Sequence, residues 1–133
     1  KKFTKINQSL VSLIRNLNKV YYVVCLSDTN SVNARVNRSR GIFSIFKECF
    51  FSFENGFLKS DYNTFSKILK KLNKKPEECL FIDDYKPNII GAKAEGLNTT
   101  QFTNNKNLIK ALKENFILSI DIHIFRTYYQ VLL

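Results

Sequence analysis

The chain is poor in several residue types, and each shortage excludes something. It has no methionine, no tryptophan and one histidine among 133 residues. Its three cysteines, Cys25, Cys49 and Cys79, are an odd number without CxxC spacing. Cys25 and Cys79 lie inside apolar, strand-like runs, so they read as buried reduced thiols of a cytoplasmic protein. Zinc finds no ligand set, because His123 stands alone and the cysteines are far apart in sequence. No apolar run approaches the roughly 18–20 residues of a membrane span. No apolar stretch follows Lys1 and Lys2, so no signal peptide is expected. Acid is the most telling shortage. The chain has 11 Asp and Glu against 21 Lys and Arg, a formal charge of +10. Not one acidic residue lies between Lys1 and Leu26.

What remains is ordinary for one soluble domain: 44% hydrophobic and 24% charged residues, enough to build one core. The densest basic cluster is Lys67, Lys70, Lys71, Lys74 and Lys75, whose spacing puts most of it on one solvated helix face. No groove-reading or RNA-binding motif accompanies it, so nucleic acid is not an expected partner.

Hydrophobic periodicity alternates between two types. Ile6, Leu10, Leu13, Ile14 and Leu17 recur at helical spacing over residues 5–18. Val20 to Leu26 is a continuous apolar run suited to a buried parallel strand. Ser27-Asp28-Thr29-Asn30 can cap a helix over 31–46, broken at Gly41. Phe50-Phe51-Ser52-Phe53 is a short strand ended by the Asn55-Gly56 turn. Asp61 or Asn63 can cap a helix over 62–73. Pro76-Glu77-Glu78 turns into a strand over 79–84. Pro87 suits the first turn of a helix ending near Glu95, with Gly96 as its stop. A short edge strand, Thr99 to Phe102, and a helix over 105–115 follow. This order predicts an α/β fold, a Rossmann-like, doubly wound parallel sheet over residues 1–115. Residues 116–133 form a tail in which Ile120, Ile122 and Ile124 alternate as in a strand.

Chemistry concentrates at strand ends, where open parallel sheets place their ligands. The run Cys79-Leu80-Phe81-Ile82-Asp83-Asp84 is an apolar strand that ends in two adjacent carboxylates. Such a pair repels itself and is best tolerated beside a cation, above all a divalent metal such as Mg²⁺. Ser27 ends another strand, and Lys59 follows a third. A hydroxyl, an ammonium and a metal-binding carboxylate together complement a phosphoryl group. Taken singly each has a plainer reading. Ser27 can be a helix cap, Lys59 a surface lysine, and the acid pair a solvated turn.

Taken in order, these segments resemble the haloacid dehalogenase-like (HAD) hydrolase superfamily. The nearest branch is the one with an α-helical cap, which includes sugar-phosphate phosphatases and the phosphatase domain of epoxide hydrolases. The second family motif matches Val20 to Asn30. The third matches Ser52-Phe53-Glu54-Asn55-Gly56-Phe57-Leu58-Lys59-Ser60-Asp61. The fourth matches Leu80 to Ala92, with Gly96 continuing it. The resemblance implies a Mg²⁺-dependent phosphatase that acts on a small phosphorylated metabolite through an aspartyl-phosphate. It implies Ser27, Asp28 and Lys59 at the phosphate, Asp84 as the Mg²⁺ ligand, and Asp83 ligating directly or through water. Asn88 would be supporting structure.

Two departures stand out. Ser60 replaces the usual proline after the lysine, which loosens that turn. The first motif, an apolar strand ending in Asp-x-Asp, has no counterpart before Ser27. In the family that strand forms the sheet centre, so the β-strands ending at Ser27 and Asp84 are expected to lack a partner between them. Residues 1–133 are therefore expected to be the C-terminal part of a longer protein, completed by an N-terminal segment or a homo-oligomer. A permuted sheet, with Asp121 as nucleophile at the end of a strand over 117–123, is an alternative, although tails more often extend an edge or fray. A catalytically inactive remnant that serves as a binding or structural module is the other. A phosphoacceptor receiver domain fits less well, because its acid pair comes first in the chain.

Overall fold

The computed structural model describes residues 5–115 and 123–126. Helix α1 (Gln8–Leu17) starts where Asn7 accepts a hydrogen bond from the Leu10 N–H at 3.1 Å. Its buried stripe is Leu10, Val11, Ile14 and Leu17. Strand β1 (Val23–Ser27) is buried at every position. It starts later than the apolar run suggests, because Val20 and Tyr22 are exposed. Helix α2 (Ser31–Ser39) is capped by Asn30, which accepts from the Asn33 N–H at 2.9 Å. It is shorter than the sequence predicts. Gly41 at φ +71° turns the chain out of it, and Phe43–Ile45 makes only a 3₁₀ turn.

Strand β2 (Glu48–Phe51) precedes the four-residue α3 (Ser52–Asn55). The strand predicted through Phe53 therefore stops at Phe51. Helix α4 (Thr64–Leu72) buries Thr64, Phe65, Ile68 and Leu69. The chain then runs through a 3₁₀ turn at Pro76–Glu78, strand β3 (Cys79–Asp83), helix α5 (Lys86–Ala94), strand β4 (Asn98–Gln101) and helix α6 (Asn105–Asn115). These follow the predicted order closely. Strand β5 (His123–Arg126) comes last.

The strands form one parallel sheet in the order β2-β1-β5-β3-β4. Alternate residues of β1 and β3 feed two cores, one on each face. Val23, Cys25, Leu80 and Ile82 join Leu10, Ile14, Leu108 and Leu112 on the α1/α6 face. Val24, Leu26, Phe81 and Cys79 join Phe65, Ile68, Leu69 and Ala92 on the α4/α5 face. Each fully buried side chain of this size contributes about 1.5–3 kcal/mol. Mutual amide hydrogen bonds between Asn7 and Asn105, at 3.1 and 3.0 Å, join the starts of α1 and α6.

The position between β1 and β3, expected to lack a strand in this chain, is held by β5. Cys25 and Phe81 lie in register with Arg126 and Phe125 respectively. The tail thus enters the centre of the sheet and does not extend an edge. The predicted strand over 117–123 begins outside the described residues, as does Asp121. The described strand starts at His123, which is level with the amino end of β3.

Candidate active site

Strand β3 delivers Asp83 and Asp84 at its carboxyl end, and β1 delivers Ser27 and Asp28 at its own. Asp83 is 3% exposed and Lys59 is 8% exposed. The Lys59 ammonium lies 3.3 Å from Asp83 Oδ2. A buried ion pair persists only when its other hydrogen-bonding capacity is met. Here it is: Asn88 Nδ2 donates to the same oxygen at 2.8 Å, and the Tyr85 N–H donates to Oδ1 at 3.0 Å. The Phe102 N–H donates to the Asp83 main-chain carbonyl at 2.8 Å, and Gln101 Nε2 donates to that of Asp84 at 3.1 Å. The β3 end is thereby fastened to β4 and α5.

Lys59 reaches Asp83 from a braced loop. Its main-chain N–H donates to the Asp28 carboxylate, at 3.1 Å to one oxygen and 3.4 Å to the other. One residue therefore ties the β1 end to the β3 end. The turn that the missing proline was expected to loosen is held by side chains. Asp61 accepts from the Leu58 N–H at 2.6 Å, and the Thr64 hydroxyl donates to the Leu58 carbonyl. Asn63 precedes α4 at φ +60°, but its side chain makes no cap. Glu95 caps the helix instead, accepting from the Ser66 N–H at 3.0 Å and the Ser66 hydroxyl at 2.8 Å. Ser52 locks β1 to β2, donating to the Thr29 carbonyl and accepting from the Thr29 N–H, both at 3.0 Å.

Electrostatics bear on two of these acids, Asp84 and Asp28. Burial raises the Asp84 pKa above the usual carboxylate value, and hydrogen bonding to the Asp83 carboxylate and the charge on it add to the rise. Burial also raises that of Asp28, against the opposing pull of the Lys59 ammonium and N–H. Ser27 is 1% exposed, and its Oγ has no hydrogen-bond partner among the described residues. A buried hydroxyl without a partner costs free energy unless a ligand supplies one.

The structure thus brings Lys59, Asp83 and Asn88 into direct contact and joins Asp28 to Lys59. Asp84 lies beside them, half-buried. Among the described residues, no three His, Cys, Asp or Glu side chains converge as a metal cage. Two carboxylates still suit Mg²⁺, which commonly takes one or two and fills its shell with water and phosphate oxygens. Thr64 and Glu95 brace the site without any sequence signal for it, because Thr64 donates to a main-chain carbonyl and Glu95 reaches Ser66 from 29 residues away.

Among solved structures, the chain resembles a HAD family enzyme, BT-2542 from Bacteroides thetaiotaomicron, in complex with magnesium and inorganic phosphate. The TM-score is 0.72 at 23% identity, over 79% of this chain and 58% of that one. A magnesium complex of the same enzyme gives 0.72 at 21%, over 80% and 59%. An uncharacterized protein from Corynebacterium glutamicum gives 0.65 at 18%, over 80% and 81%. The chain therefore spans less than two thirds of the Bacteroides enzyme. No curated protein matches it. No helix among the described residues is long and apolar enough to cross a membrane. A family model for haloacid dehalogenase-like hydrolase matches residues 3–96, which include Ser27, Lys59, Asp83 and Asp84. The chain belongs to the haloacid dehalogenase-like hydrolases.

Proposed function

We propose that these residues are the phosphate- and Mg²⁺-binding part of a phosphomonoesterase, completed by an acidic nucleophile from outside residues 1–133. The observation that carries this reading is the buried Lys59–Asp83 pair set beside a carboxylate held above its ordinary pKa. Asp83 already accepts three hydrogen bonds, so its part is to fix the Lys59 ammonium and to meet the metal through water. Asp84 is the direct Mg²⁺ ligand, because a cation lowers the pKa that burial has raised. The bound Mg²⁺ would neutralise charge on a phosphoryl oxygen.

Ser27 Oγ would donate to the phosphoryl group and so satisfy its own unmet capacity. Asp28 would meet the phosphate through its main-chain N–H, since its carboxylate is committed to Lys59. Lys59 would offset charge that develops on the phosphoryl oxygens and on the incoming nucleophile. The substrate is a small phosphate monoester, and the α-helical-cap branch remains the proposed placement within the family.

The test is a Mg²⁺-dependent assay with a panel of phosphate esters on the longest native protein. Turnover that falls by about two orders of magnitude or more in Lys59→Ala and in Asp84→Ala supports the reading. Turnover that survives both substitutions sinks it. The absence of a three-ligand cluster among the described residues favours a second reading, a non-catalytic module. Zero turnover with every ester would select that one.

A further inference from the structure

Two of the three thiols meet on one face of the sheet. Among the described residues β2 is an outer strand and β1 is its neighbour. Their register sets Cys25 directly beside Cys49. Neighbouring strands lie about 4.8 Å apart, and disulfides bridge Cα atoms roughly 4.4–6.8 Å apart. Both side chains point to the α1/α6 face, where Cys25 belongs to the core and Cys49 packs against it. The Cys25 thiol hydrogen-bonds to Cys49, and the Cys49 thiol donates to the Phe43 carbonyl at 3.7 Å. The two sulfurs are therefore in contact before any reaction. Their exposure differs, because Cys25 is buried and Cys49 is half-buried. Cys79 is buried in the core of the opposite face, with the sheet between it and this pair.

We propose that Cys25 and Cys49 are a pair oxidised by hydroperoxides, in which Cys49 reacts first and Cys25 resolves it into a disulfide that clasps β2 to β1. The Cys49 sulfur gives an electron pair to the outer oxygen of the peroxide. The O–O bond breaks, the S–O bond of a sulfenic acid forms, and the thiol proton leaves with the departing hydroxide or alkoxide. The Cys25 sulfur then attacks the sulfenic sulfur. The S–S bond forms, and the hydroxyl leaves as water with the Cys25 proton. Two thiols are oxidised and one peroxide is reduced. The order follows from exposure, since a peroxide reaches Cys49 from solvent and does not reach Cys25. Burial keeps outside reagents from Cys25, but its reaction partner is already seated beside it. The neighbouring thiol also captures the sulfenic acid before it climbs to the irreversible sulfinic acid. A thiol reductant reopens the bond from the Cys49 side. An outer strand is where pairing is weakest, so this bond secures the part of the sheet that frays first. The inference rests on register and burial, and it stands whether or not the site hydrolyses phosphate esters.

Intact-mass spectrometry of the full chain, treated with a few equivalents of hydrogen peroxide, reads the result without metal or substrate. The mass should fall by about 2 Da, the two hydrogens lost in forming one disulfide. Peptide mapping without reductant should link Cys25 to Cys49, and dithiothreitol should restore the starting mass. In the oxidised chain the amides of Glu48–Phe51 should exchange about tenfold more slowly or better, while those of Lys86–Ala94 stay as they were. In Cys25→Ala the sulfenic acid has no resolving thiol, so dimedone should add to Cys49. Cys49→Ala should neither lose the 2 Da nor take up dimedone at Cys25. In the unmodified chain, an unchanged mass would overturn the proposal, as would added oxygen on Cys49 with no linked peptide. A link through Cys79, or one between two chains, would overturn it as well. Amides of β2 that exchange as fast after oxidation as before would contradict the clasp.

Discussion

The carboxyl end of β3 and the carboxyl end of β1 are joined through Lys59 but are finished to different degrees. At β3 the Asp83 carboxylate is fully engaged, accepting from Lys59, Asn88 and the Tyr85 N–H. At β1 the Asp28 carboxylate is engaged, yet Ser27 Oγ is buried without a partner. A completed cluster contributes to stability through its own contacts. An incomplete one is held in place by the fold around it and gains only when a ligand arrives. The Asp83 cluster therefore stabilises the fold by itself, whereas the buried Ser27 hydroxyl costs stability in the free protein.

Substitutions should expose this asymmetry in order of size. Lys59→Ala strands Asp83 as a buried charge and should destabilise by about 3–5 kcal/mol, measured by denaturant unfolding. A loss under 1 kcal/mol would mean that water already reaches the pair. Asn88→Ala removes one donor from the same carboxylate and should cost about 1–3 kcal/mol. Asp84→Asn should act the other way and stabilise the metal-free protein at neutral pH. A raised folded pKa means that the folded state holds the proton more tightly, so stability falls as pH rises through the window above the ordinary Asp value. Melting curves against pH should show the gain shrinking as pH drops through that window. Ser27→Ala should change stability least, raising it by about 0.5–1 kcal/mol as the partnerless hydroxyl is removed, while weakening phosphate binding measured by calorimetry. A large loss of stability would show that the hydroxyl has a structural partner after all.

The same asymmetry governs what could be read from the sequence. The β3 end was legible because its chemistry is contiguous: an apolar strand, two acids, a turn and a helix within about a dozen residues. The helices α1, α4 and α6 followed from 3.6-residue periodicity that nothing in the fold overrides, and α5 from Pro87 at its start and Gly96 at its stop. Length was misjudged where a local break won, as at Gly41, or where exposure ended an apolar run, as at Tyr22. The bracing of Lys59 was not legible, because Asp28 lies 31 residues away and the contact is to a main-chain N–H. Glu95 as the cap of α4 was hidden for the same reason, at a separation of 29 residues from Ser66.

The place of the tail was misread in a more instructive way. The apolar alternation around Ile124 does signal a strand. Nothing local in that pattern says whether a strand takes an edge or the middle, because pairing is settled by which inner edges remain bare. Here β1 and β3 had bare edges, and the tail supplied an extended segment. Cys25 and Cys49 show the same limit on the other side of the sheet. They are distant in sequence but in register across β1 and β2. A hydrogen bond with Cys49 and then burial push the Cys25 thiol up, and burial pushes Cys79 up to about 12, so both should resist alkylation at neutral pH in the folded chain.

Mg²⁺ titration followed through the backbone amides tests the central claim most directly. The account predicts that Mg²⁺ shifts the amides of Asp84 and Tyr85, that Asp84→Asn abolishes those shifts, and that Glu114→Gln on the exposed face of α6 leaves them intact. Shifts that persist in Asp84→Asn, or that appear only away from the β3 end, would contradict it.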